Sequence, residues 1–178
     1  MPAPPRSRGP ISWATTPSDL GRLLVAHTGI GCCAVRLADS DDELAAWVDR
    51  AFPDCAAARD DAGCAALVVA VHAHLDGDPY APPVTLDLRG TDFQLRVWRA
   101  LTEIPLGEVR TYGEVAVAVG APRAVRAVGT ACGANPTPIL VPCHRVVPRS
   151  GGLGQFALGP ERKQALLERE GVVIRRAP

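Results

Sequence analysis

The sequence predicts an α+β fold in which a small α/β domain is followed by a mainly helical one. Two patterns support this prediction. Three apolar runs separated by short turns, Ile11 to Thr16, Leu20 to His27 and Ile30 to Leu37, are typical of an antiparallel β-meander. After residue 90 the apolar residues recur instead at the three- and four-residue spacing of helices. A chain of 178 residues is long enough for two small domains of this kind.

We divide the chain into three parts. Residues 1–10 are rich in proline and predict a disordered tail, residues 11–90 form the N-terminal α/β domain, and residues 91–178 form the C-terminal domain. Apolar residues make up 47% of the chain and charged residues 21%, which excludes a wholly disordered protein. No apolar run approaches the length of a membrane span, so no transmembrane helix is expected.

The cysteines indicate a reducing compartment. None of the six belongs to a Cys-x-x-Cys pair, and the N-terminus lacks the apolar segment of a secretory signal. We therefore expect free thiols and a cytoplasmic location. Scattered Cys and His leave a zinc site open, although no spacing indicates one. Five of the cysteines are interpreted as small hydrophobic residues that pack in the protein interior. They are Cys32, Cys33, Cys55, Cys64 and Cys132.

Charge is unevenly distributed although the chain is neutral overall. Residues 1–90 carry a net charge of −5, and residues 91–178 carry a net charge of +5. Eleven of the 12 cations in the second half are arginine, whose guanidinium group suits phosphate and base contacts. The asymmetry favours a nucleic-acid partner for the C-terminal half, with a chance fluctuation as the alternative.

Two helices are predicted in the N-terminal domain. Ser40 is placed to cap a helix from Asp41 to Phe52, with acidic residues in its first turn. A second helix is predicted to begin at Asp60 and to end before Gly77. The Ala-rich segment around Cys55 is also typical of a helix. The following segment, APPVTLDL, predicts a strand or a connector.

The C-terminal domain contains a candidate helix-turn-helix. A helix is predicted from Thr91 to Ile104. Thr111 and Glu114 then form a capping box for a short helix that ends at Gly120. Pro122 is predicted to start the next helix, which carries arginines beside small residues that let its backbone approach DNA. An ordinary helical hairpin with solvated arginines is the alternative.

A candidate nucleophile follows these helices. The predicted strand Ile139–Val141 and Pro142 lead directly into Cys143 and His144. Cysteine reacts as its thiolate, and an adjacent histidine can take the thiol proton directly or through water. A carboxylate is the group best suited to orient such a histidine. From these residues alone, a structural cysteine stays the alternative.

The segment PCHRV at 142–146 resembles the signature of the O6-alkylguanine-DNA alkyltransferases, also called methylated-DNA–protein-cysteine methyltransferases. Other motifs of that family occur in the same order and spacing. They are Phe93-Gln94, Val97-Trp98, Ile104-Pro105, Gly107-Glu108, Thr111-Tyr112, Arg126–Gly129, Asn135-Pro136, Lys163 and Leu166–Gly171. The N-terminal half, from Trp13 to Thr91, resembles the domain that accompanies the catalytic one in the C-terminal part of the bacterial Ada protein. The resemblance covers about residues 11–172.

The resemblance implies a fold and an activity. It implies a ribonuclease-H-like N-terminal domain and a winged helix-turn-helix catalytic domain. A protein of this family binds double-stranded DNA through the minor groove and rotates O6-alkylguanine out of the stack. It transfers the alkyl group irreversibly to its own cysteine in a single turnover. We therefore expect a monomer that acts without a cofactor or metal and has damaged DNA as its partner.

The resemblance also assigns roles to individual residues. The catalytic group comprises Cys143, His144, Glu170 and Asn135. The DNA-binding group comprises Tyr112, Arg123, Arg126, Ala127 and Arg145. The substrate pocket comprises Pro138, Val141, Phe156 and Ala157. Alternatives remain for some of these residues: Arg126 as a phosphate ligand, Tyr112 as core, Glu168 in place of Glu170, and Arg145 as a structural clamp.

One loop departs from the family pattern. Many relatives carry Tyr-Arg-Trp-Gly or Tyr-Ser-Gly-Gly beyond the Cys-His site, whereas this chain has Gln155, Phe156, Ala157 and Leu158. Phe156 lacks the tyrosine hydroxyl and Ala157 lacks the serine or arginine side chain, which predicts a changed range of alkyl groups. The main alternative function is a non-reactive protein that recognises alkylguanine, although such proteins typically replace the cysteine. A Cys-His hydrolase or acyltransferase is a third possibility, but no oxyanion hole is indicated.

Overall fold

The computed structural model describes residues 9–174 and divides the chain into two compact units. The first unit runs to Arg89 and also includes residues 136–140. The second unit comprises residues 90–135 and continues from Val141. The division differs from the predicted one at residue 90 and at residues 136–140. The residues predicted as a disordered tail lie outside the described part, except Gly9 and Pro10.

A four-stranded sheet is the centre of the first unit. Strands β1 (Ile11–Ser18), β2 (Gly21–His27) and β3 (Cys32–Ala38) are antiparallel neighbours, as the three apolar runs predict. A short strand β4 (Ala57–Arg59) pairs in parallel with the other edge of β1, giving the order β3-β2-β1-β4. The helix predicted around Cys55 is therefore wrong, because the open edge of β1 supplies backbone partners that local propensity does not reveal.

Two helices belong to this unit. Helix α1 (Asp41–Ala51) starts where Ser40 accepts a hydrogen bond from the Glu43 amide, which confirms the predicted cap. Its apolar side packs with the sheet in a core that contains Ile11, Leu24, Ala34, Leu44, Val48 and Phe52. Helix α2 (Ala65–Leu75) begins later than predicted because the Asp60 carboxylate instead closes a turn onto the Gly63 amide. The segment APPVTLDL is a connector with one isolated bridge, between Cys32 and Leu86.

The second unit contains four helices and a small sheet in its described part. Its helices are α3 (Asp92–Thr102), α4 (Tyr112–Ala118), α5 (Val125–Gly133) and α6 (Pro160–Arg169). Strands β5 (Arg110–Thr111) and β6 (Val146–Val147) form a two-stranded parallel sheet. Capping boxes open α3 at Thr91 and α4 at Thr111, and the second of these confirms the predicted pair with Glu114. No helix in the described part of the chain is long and apolar enough to cross a membrane.

Two local predictions for the chain after residue 120 are wrong. Helix α5 begins at Val125, because residues 121–124 form a turn closed by the hydrogen bond from the Ala124 amide to the Ala121 carbonyl. Arg123 therefore lies in that turn. Within the predicted strand Ile139–Val141, Ile139 and Leu140 form a turn instead, and Ile139 has a φ of 81°. A β-branched residue in this region is strained, so the surrounding structure determines the conformation and local preference does not.

Candidate active site

The Cys143 thiol lies where the chain turns out of α5. Cys143 begins a single 3₁₀ turn, Cys143–Arg145, and the residue is only 4% exposed. Asn135 follows α5, and its Nδ2 donates to the Val141 carbonyl at 2.7 Å and to Cys143 Sγ at 3.1 Å. One amide therefore holds both the backbone before the cysteine and the sulfur itself. The structure brings these two predicted residues together.

Beside the thiol, three side chains form a buried hydrogen-bonded group. His144 Nε2 lies 2.8 Å from Glu170 Oε1, and both side chains are at most 3% exposed. Arg145 binds the same carboxylate through Nε at 2.9 Å and through Nη2 at 3.0 Å. Its Nη1 donates to the Ile104 carbonyl at 2.6 Å. Glu170, at the end of α6, is thus the carboxylate on His144, whereas Glu168 accepts a hydrogen bond from Gln164.

The charges in this group follow from burial and hydrogen bonding. Burial lowers the pKa of His144 by more than the Glu170 carboxylate raises it, so the imidazole is neutral. For Glu170, burial opposes ionisation, but the hydrogen bonds from His144 and Arg145 outweigh it and lower its pKa. A neutral imidazole that donates from Nε2 to the carboxylate keeps its lone pair on Nδ1. That Nδ1 atom is buried and makes no hydrogen bond within the described protein.

The thiol borders a cavity of about 980 Å³ in the second unit. Tyr112, Arg126, Phe156 and Ala157 line it together with Cys143. The Phe156 ring meets the His144 ring edge to face, with their centroids 6.4 Å apart. Burial raises the pKa of Tyr112 to about 12, so its phenol is a hydrogen-bond donor near neutral pH. This wall is mainly apolar, and the side-chain donors on it include the Tyr112 phenol and the Arg126 guanidinium.

In the described part of the chain, the other predicted pocket and DNA-binding residues lie outside this cavity wall, except Arg126, which lines it. Among the described residues, the cavity wall does not include Val141, which is fully buried, or Pro138, which belongs to the segment grouped with the first unit. Arg123, Arg126 and Ala127 are exposed, with Arg126 and Ala127 on α5. The role of Arg145 in DNA binding stays a prediction; its side chain is 13% exposed and bound to Glu170 and Ile104.

Two residues of this region were missed or only partly recognised from the sequence. Cys132, interpreted as packing, also lines the cavity. Lys163, noted only as part of a family motif, is fully buried and donates from Nζ to the Val146 carbonyl at 2.6 Å. The position of Cys132 at the cavity could have been inferred from Gly129 and Gly133 on α5, because these small residues leave this side of the helix open. For Lys163 no pattern in the sequence indicates burial.

Comparisons with known proteins identify the family. The model of the 6-O-methylguanine DNA methyltransferase, DNA binding domain, matches residues 92–172. The methylated-DNA–protein-cysteine methyltransferase of Mycolicibacterium paratuberculosis is 42% identical over 164 residues, which cover 90% of this chain and 92% of that protein. The chain belongs to this methyltransferase family. The resemblance inferred from the PCHRV segment and its accompanying motifs is confirmed.

Two further relatives complete the comparison. The regulatory protein Ada of Salmonella typhimurium is 42% identical over 160 residues, so this methyltransferase-family chain matches 45% of that longer protein. The chain thus spans less than half the length of this curated relative. A crystal structure of Mycobacterium tuberculosis OGT in complex with DNA superimposes with a TM-score of 0.75 at 41% identity. That alignment covers 89% of this chain and 92% of the other.

Proposed function

We propose that the protein repairs O6-alkylguanine in DNA by transferring the alkyl group to its own Cys143. The proposal depends on the surroundings of the Cys143 thiol. Asn135 donates a hydrogen bond to this thiol, which borders an apolar cavity, and the next residue is a neutral histidine bound to a buried carboxylate. Thiol, base and orienting carboxylate are the parts that nucleophilic cysteine chemistry requires. The DNA complex of the M. tuberculosis relative supports DNA as the partner.

The proposed reaction uses each of these groups in turn. The His144 Nδ1 lone pair accepts the thiol proton through a water molecule, while Glu170 stabilises the imidazolium that forms. The sulfur bonds to the alkyl carbon as the bond from that carbon to O6 breaks, and the electron pair stays on the guanine. The proton lost by the thiol ends on the guanine. The thioether product cannot regenerate the thiol, so each molecule reacts once.

DNA recognition is assigned to the exposed side of α4 and α5, which we propose as a helix-turn-helix with β5 and β6 as its wing. Arg126 lies on α5 at the cavity and is placed to fill the space that a rotated guanine leaves. The Tyr112 phenol donates to the rotated base. The fold of the first unit is proposed to be ribonuclease-H-like, and the proposed location is cytoplasmic.

Intact mass tests the proposal directly. The protein is incubated with a duplex that contains one O6-methylguanine and, in parallel, with the same duplex containing guanine. We expect a gain of about 14 Da per molecule with the lesion only, because one methyl group replaces the thiol proton. Tight lesion binding without a mass gain would assign the protein instead to the non-reactive recognition class.

Arg126→Ala is expected to slow methyl transfer from duplex DNA by about tenfold to a hundredfold, since unstacking a base costs a few kcal/mol. The free base O6-benzylguanine needs no rotation, so its reaction with the variant should stay at the wild-type rate. Single-turnover rate constants with the two substrates give the comparison. Arg123→Ala is the matched control, because a phosphate contact affects DNA affinity and not base rotation. An equal loss with the free base would contradict the role of Arg126.

A further inference from the structure

Helix α5 forms part of the wall of the cavity that the active-site thiol borders. Gly129, Cys132 and Gly133 line the cavity, and Val128 and Ala131 of the same helix are buried. The helix has nine residues and no side-chain cap at its start. A helix this short is not stable by itself in water, so contacts with other elements hold it in position.

The indole of Trp98 makes one of these contacts. Trp98 lies on α3 and is 1% exposed, and its Nε1 donates to the Ala131 carbonyl at 2.8 Å. A Cβ atom built on Gly90 would lie 2.8 Å from the ring atoms Cη2 and Cζ3, so the Gly90 backbone lies against the far edge of the ring. The indole is therefore held between the residue that begins this unit and the last turn of α5.

The Ala131 carbonyl belongs to the turn that leads into the active site. The Ala134 amide also donates to it, at 3.2 Å, and the next amide, that of Asn135, donates to the Cys132 carbonyl at 3.3 Å. The Asn135 side chain in turn donates from Nδ2 to Cys143 Sγ at 3.1 Å. Hydrogen bonds within one short turn of chain therefore connect the carbonyl that the indole binds to the sulfur that reacts.

The position of this turn affects the contact between Asn135 and the sulfur. Asn135 Nδ2 binds two acceptors at once, the Val141 carbonyl at 2.7 Å and the Cys143 sulfur at 3.1 Å. Hydrogen bonds weaken steeply when the donor turns away from its acceptor, so a rotation of the amide would loosen the contact with the sulfur. Burial raises the pKa of Cys143, and the hydrogen bond from Asn135 opposes that shift. Without this hydrogen bond the fraction of thiolate would be lower.

We propose that Trp98 is a positioning residue for alkyl transfer, because its indole N–H fixes the end of α5 where Asn135 can hold the Cys143 sulfur. The purpose of this arrangement rests on the proposed function, but the coupling between the indole and the thiol is a property of the free protein. A tryptophan that only filled the core would contribute its volume. Loss of its N–H would then leave the thiol unchanged.

The first test removes the indole N–H and keeps the ring. Trp98 is replaced by 3-benzothienylalanine, in which sulfur takes the place of the N–H, by nonsense suppression. The reaction of Cys143 with iodoacetamide is followed without DNA between pH 6 and pH 10, on the Cys143 peptide, by mass spectrometry. We expect the rate at pH 7.5 to fall by about threefold to tenfold and the midpoint to move up, because a hydrogen bond to the thiolate is weakened.

Trp47 provides the matched control. It lies on α1 in the first unit, where its ring meets Phe52 edge to face. The same replacement at Trp47 should leave the rate at Cys143 at the wild-type value. An unchanged rate and midpoint in the folded Trp98 analogue would overturn the proposal, and circular dichroism identifies the folded proteins.

A double-mutant cycle separates the proposed route through Asn135 from a general loosening of the fold. In Asn135→Ala the hydrogen bond to the sulfur is already absent, so the Trp98 replacement should slow Cys143 by less than about twofold in that background. Equal losses in the two backgrounds would overturn the proposal, because the indole would then act on the thiol without Asn135.

A second measurement keeps Trp98 and so does not depend on how its analogue folds. The three tryptophans give three indole N–H signals in ¹⁵N-labelled protein, and the Trp98 signal is the one missing from the analogue. In Asn135→Ala the Trp98 N–H should exchange with solvent at least about tenfold faster, because the turn that accepts it is released, whereas the other two signals keep their rates. Equal exchange in both proteins would overturn the coupling. If the coupling holds but lesion DNA transfers no methyl group, the proposed function fails and this inference stands.

Discussion

Cys143→Ala is expected to abolish methyl transfer from O6-methylguanine DNA, whereas Cys132→Ala is expected to retain methylation at Cys143. Both thiols are buried and both line the same cavity, so position alone does not choose between them. The difference is in their partners. Asn135 donates to the Cys143 sulfur, and His144 is its neighbour in sequence. Burial raises the pKa of both thiols, to about 12 for Cys132, but the hydrogen bond from Asn135 opposes that shift only at Cys143.

Peptide mapping after reaction with lesion DNA provides the measurement. The methyl group should be found on the Cys143 peptide in wild-type protein and in Cys132→Ala, and on no peptide in Cys143→Ala. Lesion binding by Cys143→Ala should persist, because the proposed DNA contacts do not involve the sulfur. Methylated Cys132 in the wild type, or transfer by Cys143→Ala, would show that the acceptor is assigned to the wrong thiol.

Local signals in the sequence predicted most of the elements. The caps at Ser40 and Thr111 satisfy amides within the same few residues, so their chemistry is complete in the local sequence. The three strands of the meander are joined by short turns and pair with their sequence neighbours. In these cases the partner of each residue is close in the chain, and pattern alone is sufficient.

The elements that were mispredicted depend on distant partners. Strand β4 is three residues long and pairs with β1, more than 40 residues earlier in the chain. The turn at Ile139 lies between Asn135 and Val141, which are joined by a side-chain hydrogen bond. Neither the edge of β1 nor the amide of Asn135 is evident from the residues of the segment itself. Tertiary contacts therefore override local preference at both places.

In the candidate site, too, features that depend on local sequence were predicted and features that depend on distant contacts were not. Adjacency of Cys143 and His144 and the family motifs gave the reacting pair and its carboxylate from the sequence. The burial of these groups and the hydrogen bonds of Arg145 to the same carboxylate could not be predicted from the sequence, because they depend on how α6 packs against the active-site turn. Lys163 shares the buried face of α6 with Leu166 and Leu167, but lysine is a residue type that is rarely buried, so its burial is not expected from the sequence. Ionisation at this site is therefore a property of the fold and not of a motif.

Glu170→Gln is expected to have two large effects. Methyl transfer should fall by about a hundredfold or more, because an uncharged amide cannot stabilise the imidazolium of His144. Unfolding free energy should fall by about 3 to 5 kcal/mol, because Arg145 loses a buried charge partner. Glu168→Gln is the matched control: Glu168 lies on the exposed side of the same helix, so both quantities should stay near wild type.

The pH dependence of the stability loss provides an independent check. The pKa of Glu170 is lowered on folding, so its stabilisation is complete above the ordinary glutamate pKa and is lost as pH falls through the folded value. The difference in unfolding free energy between wild type and Glu170→Gln should therefore be largest near neutral pH and narrow in acid. Urea unfolding at several pH values measures it. A difference that is constant with pH would mean that shape, and not the carboxylate charge, holds His144 and Arg145 together.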